Sequence, residues 1–101
     1  MTKKKIGPIH PGEILREDFM KPVGLTPIKV AKLCGVPRTR IERVVSETTG
    51  ITADTALRLG KLFDTTPGFW MNLQARYDLE RATANLKDEI GRIKAIETEA
   101  G

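Results

Sequence analysis

The side chains able to do chemistry are few in this 101-residue chain, and most of them are basic. There is one cysteine, Cys34, one histidine, His10, and one serine, Ser46. A lone cysteine excludes an internal disulfide, and a lone histidine beside it leaves too few ligands for a zinc site. Ser46 has no neighbouring base. No nucleophile–base pair, metal cluster or phosphate-cradling loop can be assembled from this inventory, so the sequence argues against an enzyme and implies no cofactor and no metal. What remains is charge. Lys and Arg number 17 against 13 Asp and Glu, a net +4 with a pI near 9.5, which suits a partner carrying phosphate. Between Thr26 and Arg43 stand Lys29, Lys32, Arg38, Arg40 and Arg43 against Glu42 alone, so this stretch by itself carries +4.

The elements that must position those side chains read as helices throughout. Pro11 opens a first helix, where its missing N–H has no partner to lose, and Ile14, Leu15, Phe19 and Met20 form its stripe until Pro22 stops it. Thr26-Pro27 is a cap followed by proline, opening a second helix with Ile28, Val30, Ala31 and Leu33 before Gly35 closes it. Val36-Pro37 opens a third with Ile41, Val44 and Val45, ended by Thr48-Thr49-Gly50. Thr52 caps a fourth, with Asp54 in its first turn and Ala56, Leu59 and Phe63 on one face. Thr66-Pro67 repeats the cap signature and starts a fifth, running from Phe69 through at least Ala82. Leu86, Ile90, Ile93 and Ile96 continue an amphipathic period into a tail interrupted by Gly91.

The expected architecture is all-α, a five-helix domain with a helical C-terminal extension. It divides into a basic arm over residues 1–9, a helix-turn-helix domain over 10–84 and an amphipathic helical tail over 85–101. The length fits one domain. No apolar run approaches the roughly 20 residues of a membrane span, and none follows the basic Met1–Lys5 opening, so the chain reads as soluble and cytoplasmic with no membrane partner.

Thr26 to Val45 has the spacing of a helix-turn-helix. Ala31 supplies a small side chain where two crossing helices nearly touch, Gly35 supplies the positive φ of the turn, and Ile41 and Val44 face back into the core. The remaining face of the third helix holds Arg38, Thr39, Arg40 and Arg43. In such a motif the second helix enters the major groove, where an arginine bidentate to guanine is worth about 1–3 kcal/mol of discrimination. Many helix-turn-helix pairs never meet DNA; the caps and the focused charge favour the DNA reading here. Glu42 either pairs with Arg38 or Arg43 or accepts from a cytosine, and Cys34 fills an apolar slot before the turn.

Three stretches together resemble a known family: His10-Pro11-Gly12-Glu13-Ile14-Leu15, the helix-turn-helix, and Phe69-Trp70-Met71-Asn72-Leu73-Gln74 with Tyr77-Asp78-Leu79. They are similar to the HigA antitoxins, within the larger Xre or lambda-repressor-like group, over about residues 9–82. The helix-turn-helix is widely shared; the first and last stretches are far more specific. The resemblance implies a homodimer that binds a palindromic double-stranded operator in its own promoter. It also implies a partner, a HigB-type, RelE-like toxin that cleaves mRNA on the ribosome, and no small-molecule substrate. By match to the motif, Arg38, Thr39, Arg40 and Arg43 occupy the operator-reading helix, with Thr26 at the phosphate-facing start of the second helix; Lys29 joins them as a DNA-binding candidate through its place in the focused basic charge. Pro37 departs from the family, where a serine or similar cap is common, and removes a hydroxyl that could anchor a phosphate.

Two matters stay open in the sequence. Trp70, Leu73 and Tyr77 form a stripe that either covers the domain's own core or, with Leu86, Ile90 and Ile93, builds a dimer or partner contact. For a toxin, the candidates are Glu13, Arg16 and Glu17, or the acidic tail with Asp88, Glu89, Glu97 and Glu99; Lys3–Lys5 is either a phosphate-seeking arm or a solubilising end. The competing functions are a solitary Xre-type regulator without a toxin and a purely protein-binding antitoxin.

Overall fold

The computed structural model describes residues 7–97, so the Lys3–Lys5 run and Glu99 lie outside the described residues. Within that range every regular element is helical: α1 (Pro11–Ile14), a π-helical segment (Leu15–Met20), a 3-10 turn (Lys21–Val23), α2 (Pro27–Cys34), α3 (Arg38–Val45), α4 (Ala53–Phe63), α5 (Pro67–Asn85) and α6 (Lys87–Gly91). The result is a five-helix domain of the helix-turn-helix type with a helical extension.

The first helix is built differently from its simple expectation. His10 caps it through Nδ1, which accepts from the Gly12 N–H at 2.9 Å. From Leu15 the winding widens, and the Lys21 N–H reaches the Arg16 carbonyl five residues back. Leu15 and Met20, five apart, therefore share the buried face. Pro22 does not stop the run. It sits in the first turn of the 3-10 segment, where it forfeits no helical bond, and Gly24 at φ 67° ends the element.

Helix α3 also ends earlier than Thr48-Thr49-Gly50. It stops at Val45, and the chain turns through Glu47 at φ 66°. The hydroxyls of Ser46 and Thr48 both donate to the Arg43 carbonyl, at 3.2 and 3.1 Å, so local side chains satisfy the helix end. Helix α5 begins at Pro67, two residues before Phe69, because proline at the first helical position follows the Thr66 cap directly. The chain breaks at Leu86, α6 covers Lys87–Gly91, and residues 93–97 have no regular structure. The extension is thus shorter than the period of Ile90, Ile93 and Ile96 suggests.

The core is Leu15, Met20, Val30, Ala31, Ile41, Val44, Ile51, Ala56, Leu59 and Trp70. Gly12 is needed for one of its closest approaches. A Cβ there would stand 1.8 Å from the Val44 carbonyl oxygen, so glycine alone lets α1 lie against the end of α3. Together with the His10 cap and Pro11, this explains the His-Pro-Gly opening mechanically.

Candidate nucleic-acid interface

The turn between α2 and α3 forms as its residues dictate. Thr26 Oγ1 accepts from the Lys29 N–H at 3.2 Å and starts α2. Gly35 adopts φ 70° and ψ 38°, and the Val36 N–H returns to the Ala31 carbonyl at 3.0 Å, closing a Schellman-type cap. Ala31 is 2% exposed, Ile41 1% and Val44 2%, which places all three in the wedge between the helices. Pro37 caps α3 without a side-chain hydrogen bond, and the Arg40 N–H bonds to its carbonyl at 3.0 Å instead. The missing hydroxyl leaves the fold intact.

With Ile41 and Val44 facing inward, about 100° of rotation per residue puts Thr39 and Arg43 at the outward apex of α3, and both are exposed. Arg38 lies on one flank, exposed, with its Nε 3.6 Å from Glu42 in an i,i+4 pair. Glu42 thus pairs with Arg38 rather than with Arg43. Lys29 and Lys32 add exposed cations from α2. Arg40 is different. It leaves α3 on the flank nearest α4, where its Nη1 donates to Asp54 Oδ1. The same carboxylate oxygen accepts from Arg58 Nε at 2.7 Å. Arg58 Nη1 then donates to the Cys34 carbonyl at 2.8 Å. Arg58 first and Arg40 second hold the Asp54 carboxyl below the usual carboxylate range. Sequence reasoning placed Arg40 on the free face; it is half-buried and paired with Asp54 instead, whereas Thr26, Lys29, Arg38, Thr39 and Arg43 are all exposed.

Arg58 was missed in the sequence, and Arg16, read there as a candidate toxin contact, is engaged within the fold. Arg16 donates from Nη1 to the Val45 carbonyl at 2.6 Å, and its Nε and Nη2 reach Glu17 and Glu47 at 2.9 and 3.3 Å. These carboxylates, Glu17 foremost, raise its pKa. Arg16 and Arg58 secure opposite ends of the helix-turn-helix, α3's last carbonyls and the turn itself. No spacing rule announces such contacts, because their partners lie 29 and 24 residues away. Burial pushes the Cys34 thiol pKa up, in keeping with its half-buried slot.

The partner candidates separate. Trp70 is a correction: at 0% exposure it is core, packed against Phe19 at 4.9 Å between ring centroids and donating from Nε1 to Thr65 Oγ1 at 2.8 Å. Leu73 is half-buried against the core, and Tyr77 stands edge-on to His10 at 4.9 Å. Leu86, Ile90 and Ile93 are exposed. Of the acidic candidates, Glu13 is buried and Glu17 is bound to Arg16 and Lys21, whereas Asp88, Glu89 and Glu97 are exposed. Among the described residues no cluster could hold a metal ion and no helix is long and apolar enough to cross a membrane.

No protein-family model matches the sequence. Curated relatives and solved structures do. The chain is 30% identical to antitoxin HigA-1 of Vibrio cholerae, over 95% of this chain and 90% of that protein. This chain belongs to the HigA family of antitoxins. Its fold is that of a solved HigA, the Pseudomonas aeruginosa antitoxin with the higBA promoter, at a TM-score of 0.86 and 42% identity over 89% of this chain and 99% of that one. It is also 45% identical to virulence-associated protein I of Dichelobacter nodosus, over 97% of this chain and 90% of that protein. As a HigA-type member it is a DNA-binding, helix-turn-helix transcription regulator of the antitoxin class.

Proposed function

We propose that this chain is a cytoplasmic, homodimeric antitoxin that represses its own operon and neutralises a HigB-type, mRNA-cleaving toxin. The observation that carries the operator reading is the outward face of α3, where Thr39 and Arg43 are exposed between Arg38 and the cations of α2. Thr39 and Arg43 read base edges, while Lys29 and the N-terminus of α2 at Thr26 meet phosphate. The reading is supported by the likeness to an antitoxin solved with its promoter.

The dimer is assigned to the exposed apolar side chains Leu79, Leu86, Ile90 and Ile93, with Leu73 at their inner margin. A two-fold axis there sets two α3 helices about 34 Å apart, one turn of DNA, and makes the operator a palindrome. The exposed acids Asp88, Glu89 and Glu97 complement a basic RNA-cleaving toxin.

Titrating the chain into a duplex from its own upstream region tests the operator reading. Affinity is expected to fall with salt by about 0.9 log units per neutralised phosphate per decade. Arg38→Ala with Arg43→Ala is expected to abolish the preference for that duplex; unchanged affinity would remove α3 from the interface. Co-purification with the product of the neighbouring toxin reading frame tests neutralisation, and a neighbourhood without one favours a solitary regulator.

A further inference from the structure

The carboxylate of Asp54 is the acidic neighbour of the reading helix, and operator contact as described above makes no use of it. Asp54 lies in the first turn of α4 and takes Arg40 Nη1 and Arg58 Nε on one oxygen, Oδ1. Arg58 is in turn held by the carbonyls of Cys34 and Gly35, at 2.8 and 3.5 Å. The carboxylate is therefore fixed from behind to the helix-turn-helix turn and reaches forward to Arg40.

Arg40 differs from Thr39 and Arg43 in direction. It projects to the flank of α3, and a flanking cation on a helix in the major groove meets phosphate rather than base edges. Phosphate contacts add affinity for every sequence alike, because each released counterion strengthens binding whatever the bases are. Arg40 and Asp54, with Val44, Thr49 and Thr52, line a recess of about 260 Å³ between α3 and the start of α4. That recess gives the Arg40 side chain space to change direction once its partner is removed.

We propose that Asp54 is a specificity determinant of this interface, a positioning residue that keeps Arg40 off the phosphate backbone and so suppresses binding to DNA of arbitrary sequence. The inference rests on the operator reading. The carboxylate acts twice: it occupies the guanidinium, and its own charge opposes phosphate at the flank. Discrimination then depends on Thr39 and Arg43, while the flank adds little sequence-independent attraction.

The test measures dissociation constants for the upstream duplex and for an unrelated duplex of equal length, each across a salt series. The proteins are the wild-type full chain, Asp54→Asn, Asp54→Asn with Arg40→Gln, and Arg58→Gln. Asp54→Asn is expected to tighten binding to the unrelated duplex about fivefold and to steepen its salt slope by about 0.9, one phosphate's worth. The ratio of the two affinities should shrink accordingly. Adding Arg40→Gln should restore the wild-type slope, whereas Arg58→Gln, which loosens the turn but leaves Asp54 on Arg40, should not steepen it. A wild-type slope in Asp54→Asn, or a steep slope that survives Arg40→Gln, overturns the role of Asp54. Failure of the wild-type chain to prefer its upstream duplex overturns the operator reading itself. If Asp54→Asn does not fold by circular dichroism, Arg40→Gln alone decides: affinity for the upstream duplex within twofold of wild type supports the proposal, and a tenfold loss overturns it.

Discussion

The two ends of α5 carry apolar side chains at the same helical spacing and meet opposite fates. Near its start Trp70 is 0% exposed, clasped by Phe19, Phe63 and Phe69. Near its end Leu79 is 68% exposed, and beyond it Leu86 and Ile90 stand at 43% and 55%. The helix packs against α4 and α1, while residues 78–85 of its last turns are all exposed. Apolar periodicity therefore marks a face that must be covered, and the fold alone decides whether the chain covers it itself. The uncovered end is the face to which the proposed dimer contact is assigned.

Removing the covered end has the largest expected effect. Trp70→Ala leaves a cavity at the centre of the aromatic cluster and should cost about 3–5 kcal/mol, read as a large drop in Tm or in denaturation midpoint. A loss under 1 kcal/mol would break the contrast between the two ends. Leu86→Ser with Ile90→Ser should leave the circular dichroism spectrum intact and weaken self-association by about 3 kcal/mol over both protomers, read by sedimentation. An unchanged dimer mass would move the two-fold contact elsewhere.

Between these regions and the reading helix the expected effects are smaller and electrostatic. Lys29→Ala should weaken binding to related and unrelated duplexes alike and lower the salt slope by about 0.9. A change confined to one sequence would assign Lys29 to base reading. The smallest effect is in pH. The folded-state carboxyls of Asp54 and Glu17 are depressed by their cationic partners, Arg58 and Lys21 first. Their contribution is full above the ordinary carboxylate pKa and is lost as pH falls below it through the depressed values. Both groups are exposed, so acid titration of Asp54→Asn against wild type should show a slight stability gap at neutral pH that closes on acidification. A gap that widens in acid contradicts the sign.

Much of the fold was legible in the sequence because its signals are local. Thr26, Thr52 and Thr66 each cap a helix three residues before the N–H they accept from, and Gly35 takes the positive φ its place between helices requires. The period of Ile41 and Val44 already turned Thr39 and Arg43 outward. Simple periodicity missed the π-helical winding after Leu15 and the end of α3 at Val45, and a distant group took over at Arg40, which an α4 carboxylate holds.

The sequence by itself determined the helices, the turn and the concentration of positive charge between Thr26 and Arg43, since caps, glycine and apolar period act within a few residues. Only the tertiary structure decided which cations are free, which aromatic is core and which apolar face lacks a cover. Those outcomes depend on pairs such as Arg40 with Asp54 and Trp70 with Phe19, brought together by packing across 14 and 51 residues of chain, and no local pattern encodes them.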